Sequence, residues 1–260
     1  MSKSVAEKKE TNVVAFDASV FEEDAGVGLG QLGQEDVALP FLKVLSRQDP
    51  ILDDLDDAKA GDIYNTVTGQ VWKGKEGINV VPCVYQRRYI EWAPRGTGTG
   101  APINIFTPDD QRPKTERSSE DNREYVVDGQ GSYLEETHQH LVVIVSDDGS
   151  METALIAMKS TQLKKSRKWN SMMMSVKMKG ANGLFTPPMY SQVYRLTVVS
   201  QENAKGKWHG WEIERVGQVE DAGVSEMAKQ CANSISAGDV KVKHQDESSD
   251  KSGGVSHNIF

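Results

Sequence analysis

The stretch INVVPCVYQRRYIEW, residues 78–92, constrains the fold of this chain more than any other segment. Apolar residues fall at every second position through most of it, which is the period of a strand and not of a helix. Ile78, Val80, Val84, Ile90 and Trp92 are therefore expected on one face. Pro82 lacks the N–H that a ladder needs, so it predicts either an edge position or a bulge. A strand this long must belong to a sheet that buries one of its faces, and the neighbouring segments supply partners. DIYNTVTGQVW reads as a hairpin turning near Thr68-Gly69. HQHLVVIVS with METALIAMK, and SQVYRLTVVS with KWHGWEIERV, read as two further strand pairs.

Two helices complete the pattern. Ser160-Thr161 offers an N-cap for a helix running to about Met178. VEDAGVSEMAKQCANSI reads as a short closing helix. Residues 93–132 form a long polar insertion with little periodicity, expected to be a mobile loop. The expected organisation is a disordered acidic segment over 1–36, one β-rich domain over 37–236 and a flexible tail over 237–260. The fold class predicted is β-rich: an OB-like Greek-key barrel with one or two helices, insertions and disordered termini. Hydrophobic residues make up only 37% of the chain, which fits segments lying outside a packed core.

Charge placement says more than charge total. The formal net charge is −8, yet ten bases and one acid lie between Lys159 and His209, while twelve acids and three bases lie between Asp17 and Asp62. A polyanion responds to the local field, so the negative total does not exclude a nucleic acid. The N-terminus is charged with no apolar run behind it, which is not the pattern of a secretory signal. No run approaches the roughly 18 apolar residues of a membrane helix. Cys83 and Cys231 stand in unrelated contexts and form neither a disulfide framework nor a four-cysteine zinc site. A reducing cytoplasm is the expected location.

Motifs for catalysis or cofactors are weak. Gly28, Gly30 and Gly33 match GxGxxG without a preceding strand, and Glu76 stands where a phosphate loop needs a hydroxyl. His138 and His140 lack third and fourth ligands and are expected at the surface. Asp53, Asp54, Asp56 and Asp57 read as a solvated acidic loop, with a divalent-cation site as the alternative. No metal, cofactor or enzymatic activity is expected.

Aromatic and basic residues interleave from Trp72 to Arg95. On a strand Tyr85, Arg87 and Tyr89 point one way, about 6.6 Å apart, a spacing suited to successive bases of an extended strand. Trp72, Tyr85, Tyr89 and Trp92 are the expected stacking rings. Lys73, Lys75, Arg87, Arg88 and Arg95 are the expected phosphate contacts, joined by Lys164, Lys165, Arg167, Lys168, Lys177 and Lys179 from the second basic region. In a helix Lys164, Arg167, Lys168 and Ser171 share a polar face, and Trp169, Met172, Met173 and Val176 share an apolar one. The chain ends Ile259-Phe260 behind a polar, partly acidic stretch, which reads as a ligand for a protein partner.

The segments LPFLKVLS, AGDIYNTVTGQVW, VVPCVYQRRYIEWAPRG and MKSTQLKKSRKWNSMM resemble a family of tailed-bacteriophage single-stranded-DNA-binding replication proteins over residues 39–200. The resemblance implies an OB-like core, a host-cytoplasm location and partners in replication or recombination. The expected function is non-enzymatic, sequence-independent binding of single-stranded DNA. The alternatives are a virion structural or scaffolding protein, and a metal-dependent nuclease using the acids near Asp53. Self-association into a homo-oligomer is left open.

Overall fold

The computed structural model describes residues 18–30, 36–94, 96–97, 100–204 and 206–236. Two units separate, residues 1–37 and residues 38–260. In the first, Ala18–Phe21 forms a 3-10 turn followed by further turns. The second carries β1 (Leu42–Val44), α1 (Ile51–Asp54), β2 (Ile63–Asn65), β3 (Val71–Trp72), β4 (Ile78–Trp92), β5 (Asn104–Phe106), β6 (Thr115–Arg117) and β7 (Glu124–Val126). There follow β8 (Tyr133–Val145), β9 (Met151–Lys159), α2 (Leu163–Ser175), β10 (Met178–Gly180), β11 (Gly183–Phe185), β12 (Gln192–Asn203), β13 (Gly206–Gln218) and α3 (Ala222–Ser236). Strand predominates over helix among the described residues, so the β-rich expectation holds.

One antiparallel sheet of eight strands organises the fold and curls into a half-barrel. Its path runs β13-β12-β4-β8-β7-β6, with β5 added to β4 and β9 to β8. The expected hairpin is β2–β3, paired with β1 in a small second sheet. Its turn places Gly69 at φ +72°, a conformation that costs glycine nothing. The Asn65 side chain fixes that turn by accepting from the N–H groups of Val67 and Thr68.

Strand β4 pairs with β8 along its length, but its ladder to β12 stops at Val80, so Pro82 stands where β4 has a strand partner on one side only among the described residues. The register of β4 against β8 also slips between Pro82 and Val84, the bulge that Pro82 allowed. The slip changes which residues share a face, which corrects the single-face expectation. Ile78 and Val80 belong to the larger core with Trp169, Tyr194 and Trp211. Val84 packs instead against a second core with Leu141, Val143 and α3. Ile90 and Trp92 form a third, smaller cluster with Tyr133.

The helix α2 covers the larger core with Trp169, 0% exposed, and Met173. Lys164, Arg167, Lys168 and Ser171 are exposed, so the polar and apolar faces fall as expected. The cap does not. A 3-10 turn over Ser160–Gln162 precedes the helix, Gln162 occupies the cap position without a side-chain cap bond, and the helix stops at Ser175. The Gln162 side-chain Oε1 is used elsewhere, accepting from the Trp211 backbone N–H.

The insertion 93–132 is not a structureless loop. It contains β5, β6 and β7, each only three residues long, too short for periodicity to reveal. Cys83 and Cys231 also depart from expectation. Both are buried free thiols of the same core, between β4 and α3. Among the described residues, no helix is long and apolar enough to cross a membrane.

Candidate nucleic-acid interface

Beyond the bulge, Tyr85, Arg87 and Tyr89 alternate down one face of β4. Their register partners on β8 are His140, His138 and Glu136, so six side chains form two adjacent rows. The face is the one that α2 covers further along. The His140 ring stacks on Trp169 at 4.4 Å, and Tyr85 meets the His138 and His140 rings at 5.4 and 5.1 Å. Arg167 projects from α2 to the Glu136 carboxylate at 3.4 Å. Arg112, from the insertion, lies 3.8 Å over the Tyr89 ring, and Arg87 lies 5.8 Å from the same ring. Three guanidinium groups thus converge around two partly exposed tyrosines, against one carboxylate.

A buried polar chain holds α2 in place beside this strip. The Glu136 carboxylate contacts His138 Nε2 at 2.9 Å, and an ionised carboxylate can only accept, so Nε2 carries the proton. Neutral His138 then accepts at Nδ1 from the Ser166 hydroxyl, 2.8 Å away. The same Ser166 oxygen accepts in turn from His140 Nε2, also at 2.8 Å. His140 Nδ1 is left as a buried acceptor without a partner among the described residues. The histidines expected at the surface are thus 2% and 0% exposed, because Ser166 from α2 satisfies both. Burial lowers the pKa of His138, and lowers that of His140 to about 3.

The remaining predicted residues are scattered. Trp92 is 5% exposed and packs with Ile90 and Tyr133, which corrects its assignment as a stacking ring. A ring of that size on a strand end satisfies a core as readily as a base, and the sequence alone does not separate the two. Arg88 points to the opposite face from Arg87 and donates to Gln86 Oε1 at 2.7 Å. Trp72 packs against the larger core, and Lys73 pairs with Asp62 at 3.1 Å. Lys75 is exposed, but Ile78 and Tyr89 stand about 36 Å apart along one strand, so this group does not join the strip.

On α2, Lys165 and Lys168 both pair with Glu212 of β13, Lys168 at 3.2 Å, and hold its carboxyl below the usual range. Lys164 is exposed and makes no ion pair among the described residues. Lys177 and Lys179 flank and enter the β10–β11 hairpin, both exposed. Arg95, Ile259 and Phe260 lie outside the described residues. Among the described residues no group of His, Cys, Asp or Glu has the spacing of a metal site, the acids near Asp53 included.

Sequence reasoning missed Arg112, because it sits in the aperiodic insertion more than twenty residues along the chain from Tyr89. It also missed Ser166, although the alternation His138-Gln139-His140 marked two imidazoles on one face. Searches of curated proteins and of solved structures return no match for this chain. The family described as Pam3 phage gp34-like protein matches residues 8–241, nearly the whole sequence, and the chain belongs to that family.

Proposed function

We propose that this phage-family protein binds single-stranded DNA without catalysing a reaction, along the face that carries Tyr85, Arg87 and Tyr89. The observation that carries the reading is the convergence of Arg87 and Arg112 on the Tyr89 ring, with Arg167 reaching Glu136 in the adjacent row. Rings and planar guanidinium groups both stack on bases regardless of sequence, and the same cations meet phosphates. Lys164 extends the positive surface along α2. Ion pairing to Glu212 engages the part-buried Lys165 and weakens the exposed Lys168 as a phosphate contact without removing it, since an exposed pair is worth little.

Titration of single- and double-stranded oligonucleotides at two salt concentrations tests the proposal. Single strands should bind more tightly than duplex, and affinity should fall steeply with salt as counterions are released. Equal or tighter duplex binding, or no binding at low salt, overturns it. A partner role for the Ile259-Phe260 end, in replication or recombination, belongs to the same proposal and is read by loss of co-purifying protein on truncation.

A further inference from the structure

The segment that joins β5 to β6, residues 107–114, runs along the side of β4 that has no strand partner between Val80 and Tyr89 among the described residues. Phe106, the last residue of β5, is the register partner of Tyr89, so Thr107 follows on beside Arg88. Both ends of the segment are fixed. The ladder of β5 to β4 holds one end, and the Lys114 carbonyl holds the other by accepting from the Val127 N–H at 2.9 Å. Between them the Asp110 carboxylate closes a turn by accepting from the Thr107 N–H at 2.6 Å. That bond, with a smaller contribution from the Arg88 charge, holds the Asp110 carboxyl below the usual range. Arg88 is on the face opposite the strip, whereas Arg112, two residues after Asp110, reaches the strip itself and lies 3.8 Å from the centre of the Tyr89 ring.

Phe106 is the second observation. Register partners of an antiparallel pair share a face with their Cβ atoms about 5 Å apart, so the Phe106 ring stands beside Tyr89 on the strip. One row across three strands is therefore Phe106, Tyr89 and Glu136. Phe106 is half-buried and belongs to none of the three cores, so core packing does not account for it.

Arg112 occupies the place that a base stacked on Tyr89 would take. A guanidinium this close to a ring is attracted to its face, so the free chain is closed at this point. The same planar cation stacks on a nucleobase as readily as on tyrosine. A base that enters between the two gains a stacking surface on each side, and Arg112 exchanges one ring for another. We propose that one base of the bound strand is held between Arg112 as lid and Tyr89 with Phe106 as floor, and that the 107–114 segment opens to admit it and recloses behind it. The inference rests on the single-strand reading and adds the regulation of that site: the lid governs how slowly the strand leaves. The seat touches the faces of a base and not its edges, so it accepts any of the four.

Stopped-flow measurement of association and dissociation tests it, with the full chain and a fluorescein-labelled oligothymidylate at low salt. Arg112→Lys is the deciding variant, because it keeps the charge and loses the planar stacking group. Its dissociation should be about threefold or more faster than the parent's. Phe106→Leu keeps an apolar strand residue and should also speed dissociation, with association and melting temperature equal to the parent's. Parent-like kinetics in Arg112→Lys, with Arg112→Ala slowing association alone, assigns Arg112 to charge steering and overturns the lid. Parent-like dissociation or a lowered melting temperature in Phe106→Leu removes Phe106 from the floor and overturns the seat. In each of these outcomes the parent still binds and the single-strand reading stands. If the parent does not bind oligothymidylate at low salt, that reading fails and the seat falls with it.

Discussion

Lowering the pH from 7 to 5 should cost the folded chain about 2 kcal/mol through His140 alone. His140 is 0% exposed, and burial moves its pKa from 6.5 to about 3. The folded chain therefore keeps the imidazole neutral while the unfolded chain takes up a proton below pH 6.5. With more protons bound in the unfolded state, stability must fall as pH falls, from about 6.5 down to about 3. At pH 5 the ratio of the two binding terms is about 32, which is about 2 kcal/mol. A folded pKa one unit higher changes that figure little, because His140 would still be almost wholly neutral in the folded chain. His138, shifted the same way by burial, adds to the loss. Carboxylates such as Glu212, whose pKa lies below its ordinary 4.5, contribute mainly below pH 5. The structural reason is the direction of the hydrogen-bond chain: a proton on His140 Nδ1 meets no acceptor. Urea unfolding followed by tryptophan fluorescence at pH 7 and pH 5 measures the loss. His140→Gln keeps an N–H donor for Ser166 and removes the titration, so its pH dependence should be flatter by about 2 kcal/mol, whatever its stability at pH 7. Parallel pH profiles for the two proteins would refute the argument.

Tyr89→Ala should weaken single-strand binding by about 1–3 kcal/mol and leave the salt slope unchanged, because a stacking ring is lost and no charge; a melting temperature equal to the parent's excludes unfolding as the cause. Trp92→Ala should instead cost about 3–5 kcal/mol of stability in urea unfolding, since it empties a core site with Ile90 and Tyr133. Lys164→Ala should flatten the salt dependence of binding more than Lys165→Ala, whose charge is already engaged by Glu212. Gly77→Ala should cost more than about 3 kcal/mol, because Gly77 has φ +74° and a Cβ would lie 2.2 Å from the Leu196 carbonyl oxygen; thermal melting measures it.

Alternation was legible wherever a strand is long enough to show it. β4, β8, β9, β12 and β13 were all readable, and Pro82 signalled the bulge. The three-residue strands of the insertion left no such trace, and Arg112 went unseen with them. Charges were misread for a different reason. The block from Lys159 to His209 contains one acid in sequence, but β8 and β13 bring Glu136 and Glu212 to it in space. A local count sees only neighbours along the chain, and a sheet supplies the others. The tyrosine strip was readable because it lies on a single strand. The packing of Trp92, the placement of Arg88 and the burial of His138 and His140 depended on partners from other elements, and sequence period carries no information about those.

The central position of β4 sets a clock on synthesis. Asn79 and Arg195 are register partners and hydrogen-bond at 3.2 Å, yet they are 116 residues apart. At about 5–20 residues per second, the start of β4 leaves the ribosome roughly 6–25 s before its β12 neighbour exists. During that interval β4 can pair with β8 but presents its other edge, Ile78 to Val80, unpaired and apolar. Nascent chains stalled before residue 192 should thus be the aggregation-prone species, and early acquisition of β12 is the step on which productive folding turns.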